Sequence, residues 1–240
     1  LPIGDVGGGM MAALAIVSAL NYRHATGKGQ KLDISLMDTQ ISLASYMTAY
    51  WLIGGKLSGP QGSRHGNIVP YEAFQTKDSW LVVACATEKF WEGLCIAMDL
   101  DHLILDNRFN HPVKRVENRD DLIPILREKF LTRTGSEWLA RLEEADVPCA
   151  PVNSLDLALS DPQVLARNMV VDIHDPELGD FKLAGNPIKA SETEPVFDAP
   201  PKLGAHTVEV LKDILDYSDE QIAGLLENDV IGVTKESDDD

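Results

Sequence analysis

The apolar and polar positions in the first part of the chain predict two helices with a short strand between them. Apolar residues occupy nearly every face of residues 11–23, which predicts an interior helix rather than a surface helix. Asp5 lies where the N-cap of this helix is expected, and the glycines in 26–29 suit its end. Residues 30–36 alternate polar and apolar positions and predict a strand, and residues 37–53 return to a helical pattern.

The pattern beyond residue 69 predicts a smaller α+β region. Residues 71–75 and 79–86 are typical of a β-hairpin, and prolines restrict residues 147–152 to an edge or extended segment. Helices are predicted over 88–98, 119–130 and 136–145. In the C-terminal part we predict two short helices within 154–168, the second opened by Asp161 and Pro162, a hairpin from 169–173 and 180–184, helices at 207–216 and 219–228, and a solvated acidic end at 236–240.

The composition indicates a globular protein that acts on a small molecule. The 240 residues are 44% hydrophobic and 25% charged, with a net charge of −17, and this acidity disfavours nucleic acid and anionic membrane surfaces. We therefore expect neither as a partner. The chain begins at Leu1 rather than at methionine, which is expected of a portion of a longer protein.

Three further features favour a cytoplasmic protein without a membrane anchor. The longest apolar run, residues 10–20, has 11 residues, whereas a membrane-spanning helix needs about 20. Asp5 precedes this run and no Lys or Arg does, which is the wrong charge order for a signal peptide. The three cysteines are odd in number and lack metal-ligand or CxxC spacing, which favours small core residues in a reducing cytoplasm.

The most informative cluster of candidate functional residues is Asp5 followed by Gly7, Gly8 and Gly9. The common nucleotide, zinc-hydrolase and serine-hydrolase motifs are absent, and the six histidines have no ligand spacing, so no metal site is expected. The simpler interpretation is an N-cap aspartate with glycines that allow close helix packing. The alternative is a site where glycines admit a ligand, helix N–H groups stabilise negative charge and the carboxylate acts as a nucleophile.

Several motifs, taken in order, closely resemble the class III CoA-transferases, a family that includes formyl-CoA and carnitine CoA-transferases and alpha-methylacyl-CoA racemase. Each motif is modest alone, but the set covers nearly the whole chain and keeps the family order. The resembling segments are Gly4-Asp5 with Gly9-Met10, and residues 23–38, 70–78, 106–109, 147–152 and 201–211.

The resemblance implies that Asp5 is the catalytic nucleophile of an acyl-CoA:carboxylate CoA-transferase. Its carboxylate would attack the thioester to give an aspartyl acyl anhydride, and the released CoA thiolate would convert this into an aspartyl-CoA thioester. The acceptor acid would then take up the CoA through a second anhydride. An acyl-CoA and a small carboxylic acid are thus the expected partners, with coenzyme A as a substrate and no permanently bound cofactor. We expect the helix N-terminus and the amides of Gly7 and Gly8 to stabilise the oxyanions.

The resemblance also places a substrate-binding loop at Gly66 and Asn67. Residues 54–69 contain five glycines and a proline, which is typical of a linker or a mobile loop. A solvated linker and a functional lid are both open from the residues alone. Arg64 and His65 are candidates to meet a substrate carboxylate, or else are surface residues.

The fold class implied is α/β, with a portion of a Rossmann-like large domain plus a smaller α+β domain. The expected organisation is 1–53 in the large domain, 54–69 as the linker, 70–152 as the small domain, and 153–240 as a return to the large domain with C-terminal helices. The resemblance also implies an interlocked homodimer.

Two alternative functions remain open from the sequence. The first is racemisation. The racemases carry a catalytic glutamate on the segment that here spans residues 86–91. Alignment on the aromatic residue puts Thr87 at that position, and a one-residue shift would put Glu88 there instead. The second is a non-catalytic module that needs a separately encoded N-terminal half.

Overall fold

The computed structural model describes residues 1–57 and 59–233 and has a mixed α/β architecture. The chain divides into two compact units, residues 1–152 and residues 153–240. The strand pairs among the described residues are all antiparallel, so they do not test the expected Rossmann-like portion. The finer domain assignments, including 1–53 as part of a large domain, stay predictions.

The first helix, α1 (Ile3–Thr26), begins earlier than predicted, and Asp5 is not its N-cap. The carbonyl of Pro2 already accepts the N–H of Val6 at 3.0 Å, so the helical hydrogen bonds start at Pro2 and place Asp5 in the first turn. Pro2 is the cap residue and makes no side-chain capping bond. Gly27 ends the helix in the left-handed conformation, with φ of 72°.

Helix α1 is apolar but exposed, which contradicts the predicted interior position. Its only buried residues are Gly7 and Gly8, because α2 is the element that packs against it among the described residues. The helix has 24 residues and is long and apolar enough, by length and composition, to cross a membrane. The prediction that the apolar stretch is too short to span a membrane is thus wrong. Signal sequences near an N-terminus and mostly buried core helices of soluble proteins meet the same criterion.

The strand predicted over 30–36 is wrong, since residues 30–35 have no regular structure and Leu36 is the first residue of a helix. The Ser35 side chain accepts the N–H of Asp38 and caps α2 (Leu36–Leu43), so the segment leads into a helix. The helix predicted over 37–53 is divided into α2 and α3 (Tyr46–Leu52). Ser45 separates them with a left-handed φ of 49°.

A three-stranded antiparallel sheet in the order β1–β2–β3 organises residues 69–152. The hairpin of β1 (Tyr71–Gln75) and β2 (Trp80–Ala84) is confirmed, with Ala73 opposite Val82. Strand β3 (Cys149–Pro151) pairs only with β2 and forms the predicted edge. The peptide bond between Val69 and Pro70, which leads into β1, is cis.

Helices α4 (Glu88–Ala97), α6 (Arg119–Phe130) and α7 (Gly135–Glu144) confirm the predictions and cover a dense core. A 3₁₀ turn (Asp101–Leu103) and α5 (Pro112–Glu117), both short, were not predicted. Burial raises the pKa of Cys85 to about 12 and also raises that of Cys95.

Residues 153–233 contain short helices, a two-stranded hairpin and C-terminal helices. The elements are α8 (Leu155–Leu159), α9 (Pro162–Ala166), β4 (Val170–Asp175), β5 (Gly179–Ala184), α10 (Thr207–Glu209), a π-helical turn (Val210–Ile214) and α11 (Asp219–Glu227). The predicted hairpin is confirmed, and Asp161 caps α9 with Pro162 at its first position. The predicted acidic end at 236–240 lies outside the described residues.

Candidate active site

Asp5 lies in the first turn of α1 with an exposed carboxylate. No hydrogen bond or ion pair engages this carboxylate within residues 1–57 and 59–233, and the amides of Gly4 and Asp5 likewise have no acceptor there. First-turn N–H groups without an acceptor can stabilise negative charge that forms beside them.

Gly7 and Gly8 are buried against α2, which bears out the packing interpretation of these glycines. A Cβ on Gly8 would lie 2.3 Å from Cδ2 of Leu36, and one on Gly7 would lie 2.9 Å from Cδ1 of Leu43. Gly9 has open space at its Cβ position. The first two glycines therefore allow α1 and α2 to approach closely, while the substrate contacts expected of them stay a prediction.

The segment around Gly66 and Asn67 is held by the side chain of His65. The Nδ1 atom of His65 accepts the backbone N–H groups of Asn67 and Ile68, each at 3.1 Å. The imidazole ring stacks on Tyr71, with ring centroids 5.5 Å apart and planes at 12°. The loop is consequently tied to strand β1 rather than being a free linker.

Two further side chains fix the same loop. Asn67 donates its side-chain N–H to the hydroxyl of Tyr50 at 2.7 Å, and Arg119 donates to the carbonyls of His65 at 2.6 Å and Gly66 at 3.2 Å. Burial of Arg119, with Arg64 nearby, lowers the pKa of its guanidinium. Helices α3 and α6 thus both hold the loop.

A cleft of about 360 Å³ opens beside this loop. Its walls include the phenol rings of Tyr46, Tyr50 and Tyr71, and the cations Lys56 and Arg64 also line it. Aromatic walls with hydroxyl groups and two cations suit an organic acid, which has an apolar body and an anionic group. Gly66 and Asn67 line the cleft, and the substrate binding expected of them stays a prediction.

Asp5 and the loop lie on different parts of the chain, and helices α2 and α3 lie between them in sequence. Asp5 is on α1, α1 packs on α2, and α3 follows α2 and binds the loop through Tyr50. No hydrogen bond joins Asp5 to Gly66 or Asn67 among the described residues.

The two residues relevant to a racemase have structural partners in this chain. Thr87 caps α4 by accepting the N–H of Phe90. Glu88 forms a two-pronged pair with the buried Arg115, at 2.8 and 3.1 Å. Arg115 also donates to the carbonyls of Val69 and Phe109, so Glu88 is engaged in holding the core together.

Sequence reasoning missed Tyr46, Tyr50 and Arg119. No local motif marks them, because Arg119 reaches Gly66 across 53 residues of chain and Tyr50 reaches Asn67 across 17. The described residues contain no group of three His, Cys, Asp or Glu side chains that could hold a metal ion.

Comparison with known proteins identifies the family. Residues 1–207 match CoA-transferase family III. The chain is 36% identical to the human succinyl-CoA:glutarate CoA-transferase over 232 residues, which cover 95% of this chain and 52% of the relative. It is 31% identical to the succinyl-CoA:mesaconate CoA-transferase of Haloarcula marismortui, over 88% of this chain and 53% of that protein.

A solved structure agrees with these sequence relatives. The fold matches the crystal structure of a CAIB/BAIF family protein from Brucella suis with a TM-score of 0.74 and 29% identity, over 89% of this chain and 55% of that one. The chain belongs to CoA-transferase family III. It spans about half the length of the curated relatives it matches.

Proposed function

We propose that this chain carries the nucleophile of an acyl-CoA:carboxylate CoA-transferase and that Asp5 is that nucleophile. The observation that carries the proposal is the exposed carboxylate of Asp5 in the first turn of α1, which has no hydrogen-bond or ion-pair partner among residues 1–57 and 59–233, in a chain whose relatives are named as CoA-transferases. The relatives are named for succinyl-CoA with glutarate or mesaconate, so dicarboxylic acids are the first donors and acceptors to assay.

The proposed reaction consists of four acyl transfers. The Asp5 carboxylate attacks the thioester carbonyl, the C–S bond breaks, and CoA leaves as a thiolate from a mixed anhydride. The thiolate then attacks the Asp5 carbonyl carbon, which releases the donor acid and leaves an aspartyl-CoA thioester. The acceptor carboxylate attacks that carbon and expels the thiolate, which finally attacks the acceptor acyl carbon and restores Asp5. A carboxylate suits this role because its anhydride and thioester both stay activated.

Substitution of Asp5 in the complete protein that contains this chain tests the proposal. We expect Asp5→Asn to lower transfer from succinyl-CoA on the order of 10³-fold or more, since the nucleophile is lost. Mass spectrometry of the wild-type protein after exposure to acyl-CoA should find CoA attached to the Asp5 peptide. The unfolding midpoint should stay unchanged, because the Asp5 side chain is exposed and loses no hydrogen bond or ion pair to any residue that the structure describes.

Asp38 provides a matched control, because it is an exposed acidic residue in the first turn of the neighbouring helix α2. Asp38→Asn should retain transfer within about twofold, as is usual for exposed side chains without a role. Full transfer by Asp5→Asn would sink the proposal. Exchange of the substrate α-proton with deuterated water in the absence of any acceptor acid would favour racemisation instead.

We further propose a homodimer in a reducing, cytoplasmic compartment. The exposed apolar side chains of α1 support a partner surface, since Met10, Leu14 and Val17 are each more than 60% exposed. Three free thiols, at Cys85, Cys95 and Cys149, support the reducing compartment. Light scattering of the complete protein checks the oligomeric state.

A further inference from the structure

We propose that His65 is a positioning residue for the acceptor acid, acting through the backbone amides of Asn67 and Ile68, which follow Gly66 in the loop. The inference rests on the proposed function, because it assigns this loop to the second half of the transfer. His65 itself needs no contact with the reacting atoms. Its role is to hold two loop amides in one geometry beside the cleft.

The hydrogen bonds define which nitrogen of the imidazole carries the proton. Backbone N–H groups only donate, and two of them, from Asn67 and Ile68, point at Nδ1. Nδ1 is therefore unprotonated, and the ring proton of the neutral imidazole belongs to Nε2. The Nε2 atom lies 3.4 Å from the hydroxyl oxygen of Tyr46, which can accept that proton's hydrogen bond.

The position of the ring is fixed on several sides. Tyr71 stacks on one face of the ring. The backbone N–H of His65 donates to the carbonyl of Tyr71 at 2.8 Å, and Arg119 donates to the backbone carbonyl of His65. These contacts keep the imidazole ring from rotating and hold Nδ1 beside the N–H groups of Asn67 and Ile68. A glycine in the turn would otherwise allow many conformations, since Gly66 has no side chain to restrict it.

The loop and the proposed nucleophile are joined along the chain through α3, α2 and α1, of which α1 and α2 pack on each other. Tyr46 and Tyr50 of α3 contact the loop, and α2, which precedes α3, packs on the Gly7 and Gly8 face of α1. The same loop residues line the 360 Å³ cleft with Lys56 and Arg64. An ordered loop thus shapes the wall of a cleft suited to an organic acid, which makes acceptor binding the step that its order affects.

The test compares three substitutions at His65 in the complete protein. His65→Phe keeps a ring to stack on Tyr71 but removes the acceptor at Nδ1. His65→Asn removes the ring but keeps a side-chain oxygen at about the position of Nδ1, as in an Asx turn. His65→Gln moves the oxygen farther out, towards the position of Nε2. His111→Phe is the control, since His111 Nδ1 also accepts an N–H two residues on, at Val113, outside the cleft.

Two measurements separate positioning from a general effect on folding. Hydrogen exchange at the amides of Asn67 and Ile68 should accelerate roughly tenfold or more in His65→Phe and His65→Gln, the size expected when one or two neutral hydrogen bonds are lost. His65→Asn should restore protection. The KM for the acceptor acid, glutarate or mesaconate, should rise by a similar factor in the same two variants, while the rate of CoA attachment to Asp5 from succinyl-CoA stays within about twofold.

Each result decides the inference. An unchanged acceptor KM in a His65→Phe protein that still forms the Asp5 adduct overturns it, as does a His65→Asn protein as impaired as His65→Phe. If His65→Phe does not fold, the contrast between His65→Asn and His65→Gln decides by itself. A wild-type protein that forms no adduct removes the proposed function and this inference with it, whereas an adduct with unaffected acceptor kinetics removes only the inference.

Discussion

Residues 69–152 and residues 1–57 belong to one compact unit, yet they are stabilised in different ways. The hydrophobic core of this unit lies entirely within residues 69–147, and none of the ion pairs found in the described residues involves 1–57. Residues 1–57 bury only Gly7, Gly8 and Thr39. The region with the proposed nucleophile is thus the less packed of the two.

This difference separates structural from chemical requirements. In residues 69–152 the charged side chain of Arg115 is buried and satisfied by Glu88 and two carbonyls. In α1 the Asp5 carboxylate has no such partner among the described residues. A carboxylate that must attack a thioester has to be free, while a buried cation must be paired.

The largest expected effect comes from truncating a core aromatic side chain and an apolar α1 side chain in parallel. Trp138 is fully buried, packs edge-to-face on Phe130 at 5.3 Å and donates its ring N–H to the Phe130 carbonyl. We expect Trp138→Ala to lower the free energy of unfolding by about 3–5 kcal/mol. Leu14 is 62% exposed, so Leu14→Ala should change it by less than about 0.5 kcal/mol.

Urea unfolding of the 240-residue chain, followed by far-UV circular dichroism, measures both changes. Similar costs at Trp138 and Leu14 would contradict the comparison, because they would require α1 to be packed as tightly as the core.

A second prediction compares glycines in the two regions. A Cβ on Gly93 would lie 2.8 Å from the backbone carbonyl oxygen of Ala145, which cannot move without shifting the chain. Gly93→Ala should therefore cost about 1–3 kcal/mol of unfolding free energy. A Cβ on Gly8 would meet only the end of the Leu36 side chain, which is about half exposed and can rotate, so Gly8→Ala should cost about 1 kcal/mol or less.

Gly9 is the control for both glycine substitutions. Its Cβ position is open, so Gly9→Ala should stabilise α1 by roughly 0.5–1 kcal/mol through helix propensity alone. Urea midpoints of the three variants give the ranking. A cost at Gly8 that exceeds the cost at Gly93 would show that α2 is held more rigidly than the core.

The two regions also differ in how well the sequence predicted them. Both ends of the helix over residues 119–130 were predicted correctly, and a helix begins at Asp161 and Pro162 as expected. These predictions succeeded because caps, prolines and apolar spacing act locally. The strand predicted at 30–36 failed because a strand needs a pairing partner, which an alternating pattern cannot supply. Helix α1 was predicted to be interior from its composition, but burial depends on what covers a helix.

The candidate site was predictable only where a motif marked it. Gly66 and Asn67 came from the family resemblance, whereas Asp5 was marked both by its glycine cluster and by the resemblance. The predicted N-cap role of Asp5 was wrong, because the N-cap is Pro2, three residues earlier. The roles of Tyr50 and Arg119 depend on contacts between distant parts of the chain. Such contacts leave no periodicity or spacing in the sequence.

The smallest expected effect is a pH dependence at Asp106, before α5. Hydrogen bonds from the Arg108 side chain and backbone N–H lower the pKa of Asp106 from 3.8 to about 2. The unfolded chain binds a proton at this carboxyl first as pH falls, so its contribution is fully present above about pH 5 and is lost between about pH 4 and 2.

Asp106→Asn removes this titration while an amide oxygen can still accept from Arg108. The difference in urea midpoint between the wild-type protein and Asp106→Asn should therefore be largest at pH 6 and shrink towards pH 2.5. Asp120→Asn, at an exposed carboxyl without a hydrogen-bond or ion-pair partner among the described residues, is the control and should show a smaller change with pH. A difference in urea midpoint that is constant from pH 6 to pH 2.5 for Asp106→Asn would mean that the Arg108 hydrogen bonds form equally in the unfolded chain. The ordered ion pairs of residues 69–152 would then not distinguish this region from α1.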